Sequence, residues 1–465
     1  MDYGRILWGR GFMSTQKLTV AKFGGTSLAN FTAMSRCAAI VADDVNTQVV
    51  VVSAPSGVTN HLVALSHIAL NGGDRKSYLA QINVKIQAIV EELNATDDLR
   101  NTIQTLLADL EVLTQMLCRA YSEQLVDELL SFGERFSVPL FTAVLQKHGV
   151  NAIEMDARKV IVTNSHYGNA EPQINRIAEH AQQHIAPLLS HYVVIMAGFI
   201  GSNSQGITTT LGRGGSDYTV SLIAEALTAD AVKVWTDVAG IYEIDPRLKP
   251  GAKAITEITF SEAAELATFG AKVLHPATLW PAMRQAIPVF VGSSIEPQQK
   301  GTWIRPTLPN HLPCVRALAL RKSQTLLTVH SLNMLHAQGF LAKVFTVLAE
   351  HHISIDLITT SEVSVAMTVD NYTRIDQEVI EALEALGNIK VILENGLALV
   401  AVIGNRLQHT PGVSGRVFQT VANVNIRLLC HGASEHNLCF LVAEADGPTC
   451  IHALHRHFFN QGHSA

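Results

Sequence analysis

Apolar positions in the first 300 residues follow two alternating patterns. Short, nearly continuous apolar runs occur at Leu18–Phe23, Gln48–Ser53, Lys159–Thr163, Tyr192–Ile200, Ala231–Val238 and Pro288–Ser293. A strand covered on both faces requires such a run, whereas a half-exposed strand alternates apolar with polar residues. Between the runs, apolar residues recur at three- and four-residue spacing, as in Leu106, Leu110, Leu113 and Leu117, which is the period of one helix face. Strands alternating with helices predict a mostly parallel sheet in an α/β sandwich. Ligands of such sheets sit beyond the carboxyl ends of the strands, so the chemistry is expected there.

The pattern then breaks. Pro297, Gly301, Pro306, Pro309 and Pro313 fall within 17 residues, a density that predicts a linker over 298–323. Beyond it the chain repeats itself. A shift of 73 residues lays Gly339 on Gly412, Val344-Phe345 on Val417-Phe418, Ala349 on Ala422, Ile353 on Ile426, Ser361-Glu362 on Ser434-Glu435 and Val369 on Val442. Matches in both loop and core positions predict two tandem α+β modules, 324–395 and 396–465. Each reads strand, glycine-containing loop, helix, strand, turn, strand.

Length and charge narrow the class. A chain of 465 residues suggests about three domains at roughly 150 residues each. Lys and Arg total 34 against 40 Asp and Glu, and no basic block stands out, so a nucleic-acid partner has no electrostatic footprint. The apolar runs have strand length and cannot span a bilayer. Cys37, Cys118, Cys314, Cys430, Cys439 and Cys450 form no C-x-x-C pair and read as reduced thiols of a cytoplasmic protein. Met1–Phe12 lacks the apolar core of a secretory signal. Residues 1–16 read as a disordered extension or as the product of an early start, with Met13 the true first residue. His452, His455 and His457 do not set two ligands on one helical face, so they read as a solvated surface and no metal site is expected.

Two glycine-rich segments follow predicted strands. Lys22-Phe23-Gly24-Gly25-Thr26-Ser27 closes the first strand, and the expected helix start after it would offer amide N–H groups and the Lys22 charge to a phosphate. It is not a Walker A motif, and a plain tight turn is the alternative. Leu211-Gly212-Arg213-Gly214-Gly215-Ser216-Asp217 precedes a helix and carries a guanidinium suited to gripping a carboxylate. There the alternative is a solvated arginine beside a helix cap. Ser53–Asn60 brings hydroxyls to the same sheet edge, and Glu134 taken alone is a surface charge.

These segments, with Ser131–Arg135, Trp235-Thr236-Asp237, Gly240-Ile241-Tyr242, Asp245-Pro246-Arg247 and Phe269–Pro276, together closely resemble aspartate kinases. The likeness runs from about Lys17 to the C-terminus and is nearest to the single-function, lysine-inhibited form. It implies an amino-acid-kinase domain over 17–297, a three-layer α/β/α sandwich with a mostly parallel sheet, followed by two ferredoxin-like ACT modules. The implied reaction carries the γ-phosphoryl group of ATP to the side-chain carboxylate of L-aspartate. That nucleophile has a pKa of about 3.9 and needs no general base, so positioning and positive charge must dominate.

By the same resemblance Lys22 stabilises the moving phosphoryl group and Asp217 positions Lys22 or the substrate. Arg213 holds the α-carboxylate, Glu134 the α-ammonium, and Ser53 and Thr59 orient the reacting carboxylate. Gly24, Gly25, Thr236, Asp237, Tyr242, Arg247 and Lys272 would line the nucleotide. Mg²⁺ would lie between the phosphates, held mostly by them and by water, with no protein ligand named. L-lysine is the implied inhibitor, surrounded by Met334, His336, Gly339, Phe340, Leu341, Ser354, Asp356, Thr360, Ser361 and Glu362. Ala337 stands where the family often has serine. ACT modules pair across chains, so a homodimer or homotetramer is implied. The competing expectations are a kinase of the same fold with another acceptor and a catalytically silent amino-acid sensor.

Overall fold

The apolar runs become buried strands. A computed structural model describes residues 17–270, 276–308, 313–334, 338–369 and 375–459. The described residues form two compact units, one holding those up to Gly240 with Ala277–Pro306, the other Ile241–Pro276 and those from Thr307 on. In the first unit the strands stand in the order Ala152–Met155, Val193–Ala197, Thr47–Val52, Thr19–Phe23, Ala231–Thr236, Val289–Ser293, Thr302–Arg305. All neighbours are parallel except the last pair. Val49–Val52 and every residue of Thr19–Phe23 are buried, as a sheet covered on both faces demands. Each such valine or phenylalanine contributes about 1.5–3 kcal/mol by leaving water.

The two covering layers follow from strand alternation, because successive side chains point to opposite faces. Phe23 meets Phe141 of helix Glu123–Lys147, ring centroids 5.6 Å apart. Lys22, one residue earlier, points the other way and reaches Asp217 of helix Gly215–Ala226. Among the described residues no helix is long and apolar enough to cross a membrane.

Several expectations are corrected. Lys159–Thr163 is not a strand. The Asp156 side chain accepts from the Arg158 amide and starts a short 3-10 turn, Ala157–Lys159, leaving two isolated bridges, Val162 to Ser202 and Thr163 to Pro172. Tyr192–Ile200 divides at Phe199, whose φ is 68°, into Val193–Ala197 and Ile200–Ser202. The helix expected directly after Gly25 begins at Phe31, capped by Asn30; Thr26–Leu28 is a single 3-10 turn. The stretch 298–323 is not an irregular linker throughout, because Thr302–Arg305 and Val315–His330 are strands. His455 is not solvated. It is buried between Lys249, 2.6 Å from Nδ1, and Glu243, 3.0 Å from Nε2. Ile244 and Leu248 pack into the core of the second unit, which includes Ile241–Pro276.

In that second unit one antiparallel sheet runs Ile358–Thr360, Ser364–Val369, Val315–His330, Lys390–Gly404, Asn437–Ala443, Leu428–His431. The two long central strands serve both modules, and their register breaks around Gln324, near Ser323 (φ 58°) and Gly396 (φ 72°). The repeat seen in the sequence recurs in geometry. Gly339 (φ 78°) and Gly412 (φ 81°) both cap helices, Phe340–Glu350 and Val413–Thr420, whose Val344 and Val417 are fully buried. Residues 1–12, Lys272, His336 and Ala337 lie outside the described residues.

Candidate active site

One cavity of about 450 Å³ lies at the carboxyl ends of the central strands, and Lys22, Ser53, Thr59, Glu134, Arg213 and Asp217 all line it. Local folding explains the convergence. Lys22 is the last residue but one of strand Thr19–Phe23, and its Nζ sits 2.7 Å from Asp217 Oδ1 in the first turn of helix Gly215–Ala226. That helix is capped at Gly214, whose φ of 76° suits glycine and turns the Arg213 loop across the strand ends. Arg213 is exposed at the cavity wall.

The loop Ser53–Thr59 is fastened from several sides. Ser137 Oγ donates to the Ser53 carbonyl at 2.7 Å, the Ser56 amide to Gly25 O at 3.0 Å, and the Ala54 amide to Glu134 Oε1 at 3.0 Å. Gly133 permits the last contact, because a Cβ there would stand 2.6 Å from Ala54 Cβ. Glu134 is buried and, among the described residues, its second oxygen, Oε2, has no hydrogen-bond partner. Burial pushes its carboxyl up to about 8, against the pull of the Ala54 N–H and of Lys22. A half-satisfied buried carboxyl facing a cavity is suited to receiving a cationic group.

Gly24, Gly25 and Thr236 cluster beside Lys22. A Cβ on Gly24 would lie 3.6 Å from Lys22 Nζ and 4.0 Å from Thr236 Oγ1, and one on Gly25 would lie 2.9 Å from Ala54 O. Thr236 Oγ1 donates to Asp237 at 3.1 Å. Tyr242 and Arg247 belong to the other unit. There Tyr242 bridges to Ala254, and exposed Arg247 forks onto Asp245 at 2.6–3.1 Å. With the guanidinium exposed and Asp245 half-buried, a pair of that kind contributes little to stability.

Of the residues expected around an inhibitor, Ser354, Asp356, Thr360, Ser361 and Glu362 lie on exposed backbone at one edge of the first module, and Met334, Phe340 and Leu341 are half-buried. Asp356 is already paired with Arg321 at 2.9 Å, and Ser361 turns back onto Ser364 at 2.7 Å. Sequence reasoning missed Asp127, Gly168, Phe199 and Thr210. Gly168, Phe199 and Thr210 line the cavity, and Asp127 lies behind them. A carboxylate two helical turns before Glu134 on a buried stripe was the available signal.

The profile of the amino acid kinase family matches residues 17–293, and that of the ACT domain matches 327–388 and 400–458. Lysine-sensitive aspartokinase 3 of Escherichia coli (strain K12) is 51% identical over 450 residues, covering 95% of this chain and 99% of that protein. The crystal structure of E. coli aspartokinase III with aspartate and ADP (R-state) matches with a TM-score of 0.85, covering 95% of this chain and 100% of that one. Its complex with lysine and aspartate (T-state) matches at 0.82, over 95% and 99%; both are 51% identical.

Proposed function

The chain belongs to the aspartokinases of the amino acid kinase family, and on that premise we propose that it phosphorylates the side-chain carboxylate of L-aspartate with ATP under control by L-lysine. The observation that carries this reading is the single cavity uniting Lys22, Ser53, Thr59, Glu134, Arg213 and Asp217. A small dicarboxylate with one ammonium fits that set. Arg213 takes the α-carboxylate, Glu134 the α-ammonium, and Ser53 and Thr59 point the remaining carboxylate toward the nucleotide. One of its oxygens attacks the γ-phosphorus, the bond to the bridging oxygen breaks, and ADP leaves. Lys22, held by Asp217, neutralises charge on the phosphoryl oxygens, the main catalytic requirement when nucleophile and electrophile are both anionic.

The cosubstrate is ATP with Mg²⁺ borne on its phosphates, lying along Gly24, Gly25, Thr236 and Asp237. The product is 4-phospho-L-aspartate, an acyl phosphate, so the enzyme opens a biosynthetic route to lysine, threonine and methionine. It works in the cytoplasm as a homodimer or homotetramer paired through its ACT modules. Trapping the product with hydroxylamine across a panel of acceptors tests the assignment. Aspartate should yield hydroxamate, and a preference for glutamate or N-acetylglutamate would replace it with another kinase of this fold. ATP turnover equal in wild type and Lys22→Ala would instead favour a silent sensor.

Lysine should inhibit ADP release in the same assay by favouring an inactive arrangement, a linkage between two sites. Asp356→Ala and Glu362→Ala should raise the half-inhibitory lysine concentration while leaving uninhibited turnover within about twofold. An active preparation indifferent to lysine would remove this part of the reading.

Glu134 predicts a pH dependence. In the empty site its carboxyl, raised to about 8, holds a proton at neutral pH, while in the unfolded chain it is ionised above about 4.5. Native protein therefore binds the extra proton, and its stability declines as pH rises from the ordinary carboxyl range through 8. An α-ammonium restores the carboxylate and expels that proton. KM for aspartate should fall as pH rises from 6 towards 8 and then level. Calorimetry at pH 7 in two buffers of different ionisation enthalpy should find most of one proton released per aspartate; none released would contradict the role of Glu134.

A further inference from the structure

Asp127 lies on helix Glu123–Lys147, seven residues before Glu134, and is fully buried. Every hydrogen bond to its carboxyl comes from a neutral donor on a segment that lines the cavity. The Gly168 amide donates to Oδ1 and Oδ2 at 2.9 and 3.0 Å, the Thr210 amide to Oδ2 at 2.8 Å, and Thr210 Oγ1 to Oδ1 at 2.8 Å. Thr210 ends the short strand Thr208–Thr210 that leads through Leu211-Gly212 into Arg213. The two clamped segments also hold each other, through the Ala170 amide to the Thr210 carbonyl at 2.8 Å.

An amino-acid substrate gripped at both ends needs its two grips at a fixed separation. Glu134 is rigid, because it stands on a helix of 25 residues buried over most of its second half. Arg213 sits among three glycines, a composition that by itself leaves its backbone loose. Two turns of helix, about 10 Å of axial rise, separate Asp127 from Glu134. We propose that Asp127 is a positioning residue that fixes the distance between Arg213 and Glu134 by tying the root of the Arg213 loop to the helix that carries Glu134. This rests on the aspartate-binding reading given above.

Charge is not what the clamp requires. Burial pushes the Asp127 carboxyl upward while its three donors pull it down, and an amide can satisfy the same partners. In Asp127→Asn, Oδ1 can take both backbone N–H groups while Nδ2 donates to Thr210 Oγ1. Asp127→Ala removes the hydrogen bonds from Gly168 and Thr210 to the helix and leaves two backbone amides bare.

The test is steady-state kinetics of the full-length enzyme with aspartate and Mg-ATP, beside thermal melts. Asp127→Ala should raise KM for aspartate at least about tenfold, since a displacement of about 1 Å in a positioning group can cost up to 10²-fold. KM for ATP should stay within about twofold, and Asp127→Asn should restore KM for aspartate to within about threefold of wild type. A merely structural role would lower the melting temperature and move both KM values together, or neither, and that outcome overturns the proposal. Should Asp127→Ala fail to fold, Thr210→Val, which removes one contact, carries the test with a several-fold rise confined to aspartate. Arg213→Ala is measured alongside. If it raises KM for aspartate while the Asp127 and Thr210 variants do not, the positioning role is wrong. If Arg213→Ala itself has no effect, the site reading fails and the positioning role falls with it.

Discussion

Lys22→Ala should lower kcat by about 10²–10³, with KM for aspartate changed little, which corresponds to about 2.7–4 kcal/mol of lost transition-state stabilisation. The expectation comes from where the ammonium is held. Its side chain is 10% exposed and lies 2.7 Å from Asp217, beside the Gly24-Gly25 backbone where a triphosphate can approach closely. A positive group fixed in place before reaction stabilises charge developing on the phosphoryl oxygens without reorganising, and water admitted by the alanine cannot do so. Asp217→Asn should also slow the reaction, because Lys22 then loses the partner that aims it. The double variant should be little worse than Lys22→Ala alone, since residues acting as a unit are not additive. Single-turnover phosphoryl transfer at saturating substrates makes the measurement. A Lys22→Ala enzyme with wild-type kcat would take Lys22 off the phosphoryl path.

Arg213→Ala should instead show itself in aspartate binding. Loss of one partner from a hydrogen-bonded charge pair enclosed on binding costs about 2–5 kcal/mol, so kcat/KM for aspartate should fall at least about thirtyfold. Arg213→Lys should recover only part of this, because an ammonium cannot make the two parallel bonds of a guanidinium. KM for ATP should be almost unchanged. Parallel loss for both substrates would mean that Arg213 serves the fold or the nucleotide rather than the amino acid.

The contrast between these residues reflects how legible each was. Lys22 was readable because it sits in a strand pattern that ends in Gly-Gly, and alternation alone puts it opposite Phe23. Arg213 and Asp217 were readable from glycines packed around a charge before a helix. Glu134 was not, since nothing local distinguishes it from any other helical glutamate; its role depends on Gly133 allowing the helix within reach of Ala54. Asp127 was harder still, as its partners Gly168 and Thr210 are 41 and 83 residues away. The same reason explains the histidines. His455 looked like part of a solvated cluster because Lys249 and Glu243, which enclose it, come from more than 200 residues earlier in the chain.

Outside Lys159–Thr163 and 298–323, element type followed from local information. Runs of branched apolar residues specify buried strands, three- and four-residue spacing specifies helices, and the 73-residue repeat specifies duplicated modules, because each is a property of residues close together in the chain. Three things were settled only in space. Thr302–Arg305 and the stretch from Val315 on became strands because Val289–Ser293 and Lys390–Gly404 offered them hydrogen-bond partners. Ile241–Pro276 joined the C-terminal unit because Ile244 and Leu248 found their apolar cover there. The proton on Glu134 arises from burial by residues distant in sequence. Local propensity costs or gains tenths of a kcal/mol per residue and can be summed along the chain. Desolvation and long-range pairing are worth whole kcal/mol and depend on which groups meet, a fact that no stretch of sequence contains by itself.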